Sequence, residues 1–170
     1  MEVKLLLSDK LKEILKKQGI EKYEPAYNGE ACGLDLYYTG ETTLLCPYNM
    51  DKLLPTGLKV IIPNGYVGII KERGSITKYP MTLRAGVIDV GYHDEIFVNL
   101  ICHEQANNYG TSRVQLSEGS KLPVQLVVIP CLNKYTEVDD ETFKKLSEES
   151  KRKNGKVGSS DGTNWNYWLW

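Results

Sequence analysis

From Ala26 onward the chain reads as short apolar runs set apart by Gly, Pro and Asn: LDLYY, ETTLLC, GLKVII, YVGIIK, MTLRAGVIDV, EIFVNLIC, SRVQL and PVQLVVIP. Turn signals fall between them at Pro47, Pro55-Thr56-Gly57, Pro63-Asn64-Gly65, Asn107-Asn108 and Glu118-Gly119. Many short strands at close spacing predict an all-β sandwich, jelly roll or barrel. The ends differ. MEVKLLL predicts a short strand, after which Ser8 or Asp9 caps a helix to about residue 17. Leu11, Ile14 and Leu15 share one face of that helix, and Gly19 stops it. A second helix is predicted over residues 139–151, capped by Asp139 or Asp140. Beyond it the tail turns polar, basic and Gly/Ser-rich, and ends in NWNYWLW. There is no internal repeat.

One run carries chemistry inside it. In RAGVIDVGYHDEIFVNL, residues 84–100, an apolar strand breaks at Asp89, turns at Gly91 and presents Tyr92. The flanks favour a pleated surface and the middle favours a turn, so the segment predicts a β-hairpin holding an acid and an aromatic at its tip or shoulder. By local pattern alone this is an ordinary polar turn. A carboxylate at the end of an apolar strand is also partly withdrawn from water, which strengthens it as a base.

Bulk properties narrow the classes. A chain of 170 residues can bury one real core. Its formal net charge of −1 gives no global field for nucleic acid. Cys32, Cys46, Cys102 and Cys131 are widely spaced, which fits neither a zinc motif nor a secreted disulfide scaffold. No apolar run reaches the length of a membrane span. The expectation is a soluble cytoplasmic protein with no nucleic-acid or membrane partner.

Five segments, in order, resemble the five motifs of the homotrimeric dUTPases. Ala31-Cys32-Gly33-Leu34-Asp35-Leu36 resembles the first, Ala-Gly-Tyr-Asp-Leu. Arg73-Gly74-Ser75 resembles the core of the second, and Gly86-Val87-Ile88-Asp89 with Tyr92 resembles the third. GSKLPVQLVVIP resembles the fourth, with Gln125 as its glutamine, and RKNGKVGSS resembles the fifth. A related family, the dCTP deaminases, carries a catalytic glutamate ten residues after the aspartate of the third motif. Here that position is Asn99, which cannot serve as a carboxylate base.

The resemblance implies an all-β, jelly-roll-like fold with short helices in the N-terminal and C-terminal regions. It implies one β-rich domain over residues 1–151 and a C-terminal arm over residues 152–170. The implied reaction is hydrolysis of dUTP to dUMP and pyrophosphate. Asp89 would activate the water, and Tyr92 would stack under the deoxyribose. Backbone groups of Gly86, Val87 and Ile88 would read the uracil. Arg73, Gly74, Ser75 and Gln125 would bind the nucleotide, and Asp35 would support the site by holding Arg73 or metal-bound water. Arg152, Val157, Gly158 and Ser159 of the tail would close over it. Mg²⁺ would be held through triphosphate and water, with no direct protein cage. The partners implied are dUTP and two further copies in a homotrimer.

The chain departs from the family pattern in several places. Gly74 stands where serine is usual, and Val157 where phenylalanine normally covers the base, a lid that Trp165 or Tyr167 would have to replace. The fourth motif gains a residue around Pro123, the spacing from Arg73 to Asp89 is short, and His93-Asp94 replaces Arg-Gly. These mark a divergent, phage-like member. Two other functions fit the same motifs: a pyrophosphatase for dCTP or a modified dUTP, and a nucleotide-gated protein that binds a regulatory partner.

Overall fold

A computed structural model describes residues 2–47, 52–103 and 113–148. The chain divides into two units, Met1–Asn133 and Lys134–Trp170. The first begins with β1 (Lys4–Leu7) and α1 (Asp9–Lys17), followed by β2 (Gly33–Tyr37), β3 (Thr43–Leu45), β4 (Leu53–Ile61) and β5 (Tyr66–Glu72). It continues through β6 (Met81–Arg84), β7 (Val87–Ile88), β8 (Glu95–Cys102), β9 (Val114–Leu116) and β10 (Lys121–Pro130). The strands form two four-stranded sheets, ordered β1-β4-β8-β6 and β2-β10-β5-β7, and a small β3-β9 pair. Every pairing is antiparallel. This is the all-β architecture the strand runs predict, in the jelly-roll-like form the resemblance implies.

Period-two alternation builds the core. In β8, Ile96, Val98, Leu100 and Cys102 point inward while Phe97 faces out. They join Leu54, Leu58 and Val60 of β4 and Leu34, Leu36, Ile70, Leu122, Val124 and Leu126 of the other sheet in one cluster. Helix α1 closes an edge of it with Leu11, Ile14 and Leu15. Ser8 is its N-cap: the Ser8 hydroxyl accepts a hydrogen bond from the Leu11 amide at 3.2 Å.

Two sequence expectations give way here. Pro55-Thr56-Gly57, expected as a turn, lies inside β4. The pairing with β8 moves from Pro55↔Phe97 to Lys59↔Glu95, so four steps on one strand face two on the other. Proline and a positive-φ glycine are the chemistry of a bulge as well as of a turn. Gly57, at φ +67°, accepts a hydrogen bond from the Ser8 amide at 2.8 Å, and the Thr56 hydroxyl donates to the Ile96 carbonyl at 2.6 Å.

The second correction concerns the hairpin expected within residues 84–100. Its two flanks are strands, but they belong to different sheets. β8 pairs with β6 and β4, whereas β7 pairs with β5 through Gly68↔Ile88 and Ile69↔Val87. The run MTLRAGVIDV is broken at Ala85 and Gly86, whose φ values of +64° and +135° carry the chain from one sheet to the other. The Ile70 amide then donates to the Gly86 carbonyl at 2.7 Å.

Of the second unit, residues 134–148 are described. They contain α2 (Asp140–Glu148), with the Asp139 carboxylate accepting from the Thr142 amide at 2.8 Å. The Thr142 hydrogen bonds hold the Asp139 carboxyl below its ordinary value. Residues 149–151 of the expected helix lie outside the described residues. Among those described, no helix is long and apolar enough to cross a membrane.

A Cβ at Gly86 would stand 2.9 Å from the Ile70 carbonyl, on a backbone that already disfavours one. Gly86→Ala is expected to destabilise the fold by about 1–3 kcal/mol. A thermal melt checks this, and an unchanged midpoint would show that the crossover accepts a side chain.

Candidate functional site

The sheet β2-β10-β5-β7 carries Asp35, Gln125, Val87 and Ile88 of the sequence-predicted site residues, and Arg73 follows β5 to meet Asp35. Asp35 sits on β2 opposite Gln125 of β10, and Gln125 in turn faces Lys71 of β5. One Asp35 oxygen takes the Arg73 Nε at 2.7 Å, and the other takes the Lys121 Nζ at 3.0 Å. The side chain of Asp35 is only 19% exposed and that of Arg73 27%, so this pair is less screened than a surface ion pair. Burial works against the Lys121 charge, but the Asp35 and Tyr37 side chains outweigh it and hold the ammonium above its ordinary value.

Aromatic residues fix the back of this cluster. Lys121 lies over the Tyr37 ring, 5.5 Å from its centroid, and Tyr23 meets Tyr37 edge-on at 6.1 Å. The Tyr23 hydroxyl donates to the Asp35 carbonyl at 2.6 Å, and burial pushes that phenol well up from its ordinary value. Sequence reasoning named none of Tyr23, Tyr37 and Lys121 as site residues. For Lys121 a signal existed, because the fourth motif sets a basic-apolar pair ahead of its glutamine and Lys121-Leu122 precedes Gln125 here.

Within that motif the ladder is broken by a bulge. Between Lys121↔Tyr37 and Gln125↔Asp35, four steps of β10 face two of β2. The bulged Pro123 presents its carbonyl to the Arg73 amide at 2.9 Å. Arg73 thereby leads into a 3-10 turn, Gly74–Lys78, with Gly74 exposed and Ser75 half-buried at its start. A Cβ at Gly74 would meet nothing within 4 Å, so the missing serine leaves open space and no strain. Gln125 lies across Gly33, where an added Cβ would stand 2.1 Å from the amide oxygen.

Asp89 is placed elsewhere. It follows β7 and opens a turn closed by the Tyr92 amide donating to the Asp89 carbonyl at 3.0 Å. The Tyr92 hydroxyl donates to the Glu95 carbonyl at 2.5 Å. Within the single chain Asp89 is exposed, which corrects the expectation of partial desolvation by its own strand. Val87 is exposed too, while Ile88 is buried. Register fixes the distance to the other residues. Ile88 faces Gly68, so Asp89 falls level with Val67, six positions along β5 from Arg73. At the rise of a strand that is about 20 Å. One chain therefore gathers Asp35, Gln125, Arg73, Gly74 and Ser75, and holds Asp89 and Tyr92 apart from them.

Arg152, Val157, Gly158 and Ser159 lie outside the described residues, as do Trp165 and Tyr167. Among the described residues, no three His, Cys, Asp or Glu side chains converge to hold a metal ion. A hollow of about 500 Å³ beside α1, lined by Leu15, Lys16, Ile20 and Tyr23 among others, holds none of the predicted site residues.

A family model described as dUTPase matches residues 20–161. The deoxyuridine 5'-triphosphate nucleotidohydrolase of Wolbachia sp. subsp. Brugia malayi is 32% identical over 136 residues, 77% of this chain and 80% of that protein. The enzyme of the same name from Tropheryma whipplei is 35% identical over 133 residues, 75% of this chain and 83% of its own. Among solved structures, the dUTPase of Staphylococcus bacteriophage 80alpha with dUPNHPP superposes with a TM-score of 0.67 at 21% identity, covering 94% of this chain and 98% of that one. A mutant dUTPase of phage phi11, described with a structural Mg(II) ion, gives 0.59 at 22% identity, covering 82% and 97%.

Gly33→Ala is expected to drive the Gln125 side chain from its place while the sheet stays intact. The Gln125 side-chain amide resonances should move and the backbone amides of β10 should not. Unmoved side-chain resonances would mean that Gln125 does not depend on Gly33.

Proposed function

This chain belongs to the dUTPase family, and from that premise we propose that it hydrolyses dUTP to dUMP and pyrophosphate through a water activated by Asp89. Water oxygen bonds to the α-phosphorus, its proton passes to the Asp89 carboxylate, and the bond to the bridging oxygen of the β-phosphate breaks. Arg73 and Ser75 bind the phosphates, with Gln125 beside them, and Asp35 holds the Arg73 guanidinium. Tyr92 packs under the deoxyribose and excludes a 2′-hydroxyl. The backbone of Gly86, Val87 and Ile88 reads the uracil edge, and the arm over residues 152–170, with Arg152, Val157, Gly158 and Ser159, covers the bound nucleotide.

The observation that carries this reading is the Asp35–Arg73 ion pair in the same sheet as the strand leading to Asp89. The separation of about 20 Å between Arg73 and Asp89 gives the reading its second part. A base and a cation so far apart cannot serve one triphosphate from one chain. The site is then shared between copies, Asp89 of one meeting Arg73 of another in the homotrimer that the family resemblance implies, where the neighbour withdraws Asp89 from water. Bound Mg²⁺ would neutralise and orient the triphosphate. The donor set fits an ion held by phosphate oxygens and water, because both Asp35 oxygens already take cations. The enzyme acts in the cytoplasm, that of the host if the source is a phage.

Pyrophosphate release with Mg²⁺ from dUTP, dCTP, dTTP and UTP tests the reaction. Release is expected from dUTP alone, and Asp89→Asn is expected to lower it by about 10²–10⁴-fold. Release from dCTP instead would move the base specificity, and none from well-folded protein would favour a binding protein. The shared site has its own test. Asp89→Asn and Arg73→Ala, each inactive alone, should regain about a quarter of wild-type activity when equal amounts assemble at random into mixed trimers. No recovery from mixed trimers would place both groups in one chain's site.

A further inference from the structure

Lys121 is the cation in this cluster with no assigned role. Gln125, not Lys121, stands opposite Asp35 in register, and Lys121 stands opposite Tyr37, two positions along β2. It reaches Asp35 diagonally across the same face of the sheet. The bulge makes this possible: two extra residues on β10 keep Lys121 and Gln125 on one side. The Lys121 side chain is 42% exposed, and two contacts place its ammonium. It sits over the Tyr37 ring, Tyr37 is braced by Tyr23, and the Tyr23 hydroxyl is bonded to the Asp35 backbone. The second Asp35 oxygen is thereby occupied while the first meets Arg73.

We propose that Lys121 is a positioning residue of the phosphate site, acting on Arg73 through Asp35 and not by touching substrate. The inference rests on the dUTPase reading above for what Arg73 binds, but not for how Lys121 orients it. Without Lys121 the carboxylate can rotate about its terminal bond, and the Arg73 guanidinium loses its fixed aim. A guanidinium offers its phosphate contacts as a planar fork, so a change of aim weakens more than one hydrogen bond. With Lys121 in place, two cations share one carboxylate and the cluster keeps a net positive charge towards an anionic ligand.

The test is a double-mutant cycle on the full chain, with Lys121→Met, Lys121→Arg, Asp35→Asn and the Lys121→Met/Asp35→Asn double variant, each first shown to melt cooperatively. Lys121→Met is expected to weaken binding of the imido analogue dUpNHpp by about three- to tenfold, leaving kcat within about twofold. Lys121→Arg should restore affinity. In the Asp35→Asn background, Lys121→Met should add nothing, because its effect runs through that carboxylate. An equal loss in both backgrounds would mean direct contact with phosphate and would overturn the proposal, as would wild-type affinity in Lys121→Met. The Arg73 Nε–H resonance of the unliganded protein gives an independent reading. It should shift in Lys121→Met and return in Lys121→Arg, and an unshifted resonance would overturn the proposal. If wild-type protein turns over no nucleotide, the dUTPase reading fails, and this resonance still decides the role of Lys121.

Discussion

A carboxylate that is four-fifths withdrawn from water needs partners, and Asp35 takes two, one on each oxygen. Much of the local architecture answers to that need. The β10 bulge sets Lys121 in reach, the Pro123 carbonyl holds the Arg73 backbone, and Tyr23 and Tyr37 fill the space behind. Removing either cation leaves a half-buried charge with one oxygen unanswered, so the three groups behave as a unit. Both cations keep some exposed surface, 27% for Arg73 and 42% for Lys121, while Asp35 lies beneath them.

The other half of the chemistry depends on a backbone crossing. β7 leaves the sheet of β6 and β8 to pair with β5, and antiparallel pairing then sends Asp89 away from the Arg73 end of that strand. An exposed carboxylate and an exposed Val87 on a single chain are the surface that a neighbouring copy would cover. On the proposed reading, division of labour between copies would follow from strand direction, a property no side-chain substitution at the site would alter.

Local patterns were legible in the sequence wherever a local cause sets the structure. Ser8 caps α1, apolar runs become strands, and Asp139 caps α2 because each depends on residues a few positions away. Partner choice was not legible. Val87 and Ile88 read as a strand, but nothing nearby says that β5 is its neighbour and β8 is not. Ala85 takes a positive φ with no residue-type signal to announce it. The Pro55-Thr56-Gly57 signal was present but ambiguous, since turns and bulges share the same residues. For the site, the motifs identified Asp35, Arg73 and Gln125. Lys121 was visible as a basic residue of the fourth motif, but its contact with Asp35 was not, because it spans 86 positions of sequence across an irregular ladder.

The two bulges, in β4 and β10, share an arithmetic. Each adds a pair of residues to one strand, and a pair returns the chain to the face it left. A single extra residue would have turned Lys121 or Lys59 toward the core and an apolar neighbour toward water. In these two strands the even count lets the pairing resume with the same faces meeting: Lys121 and Gln125 flank one bulge on one side of β10, as Pro55 and Lys59 flank the other in β4. Along β10 the spacing from Lys121 to Gln125 is thus a matter of parity as much as of distance.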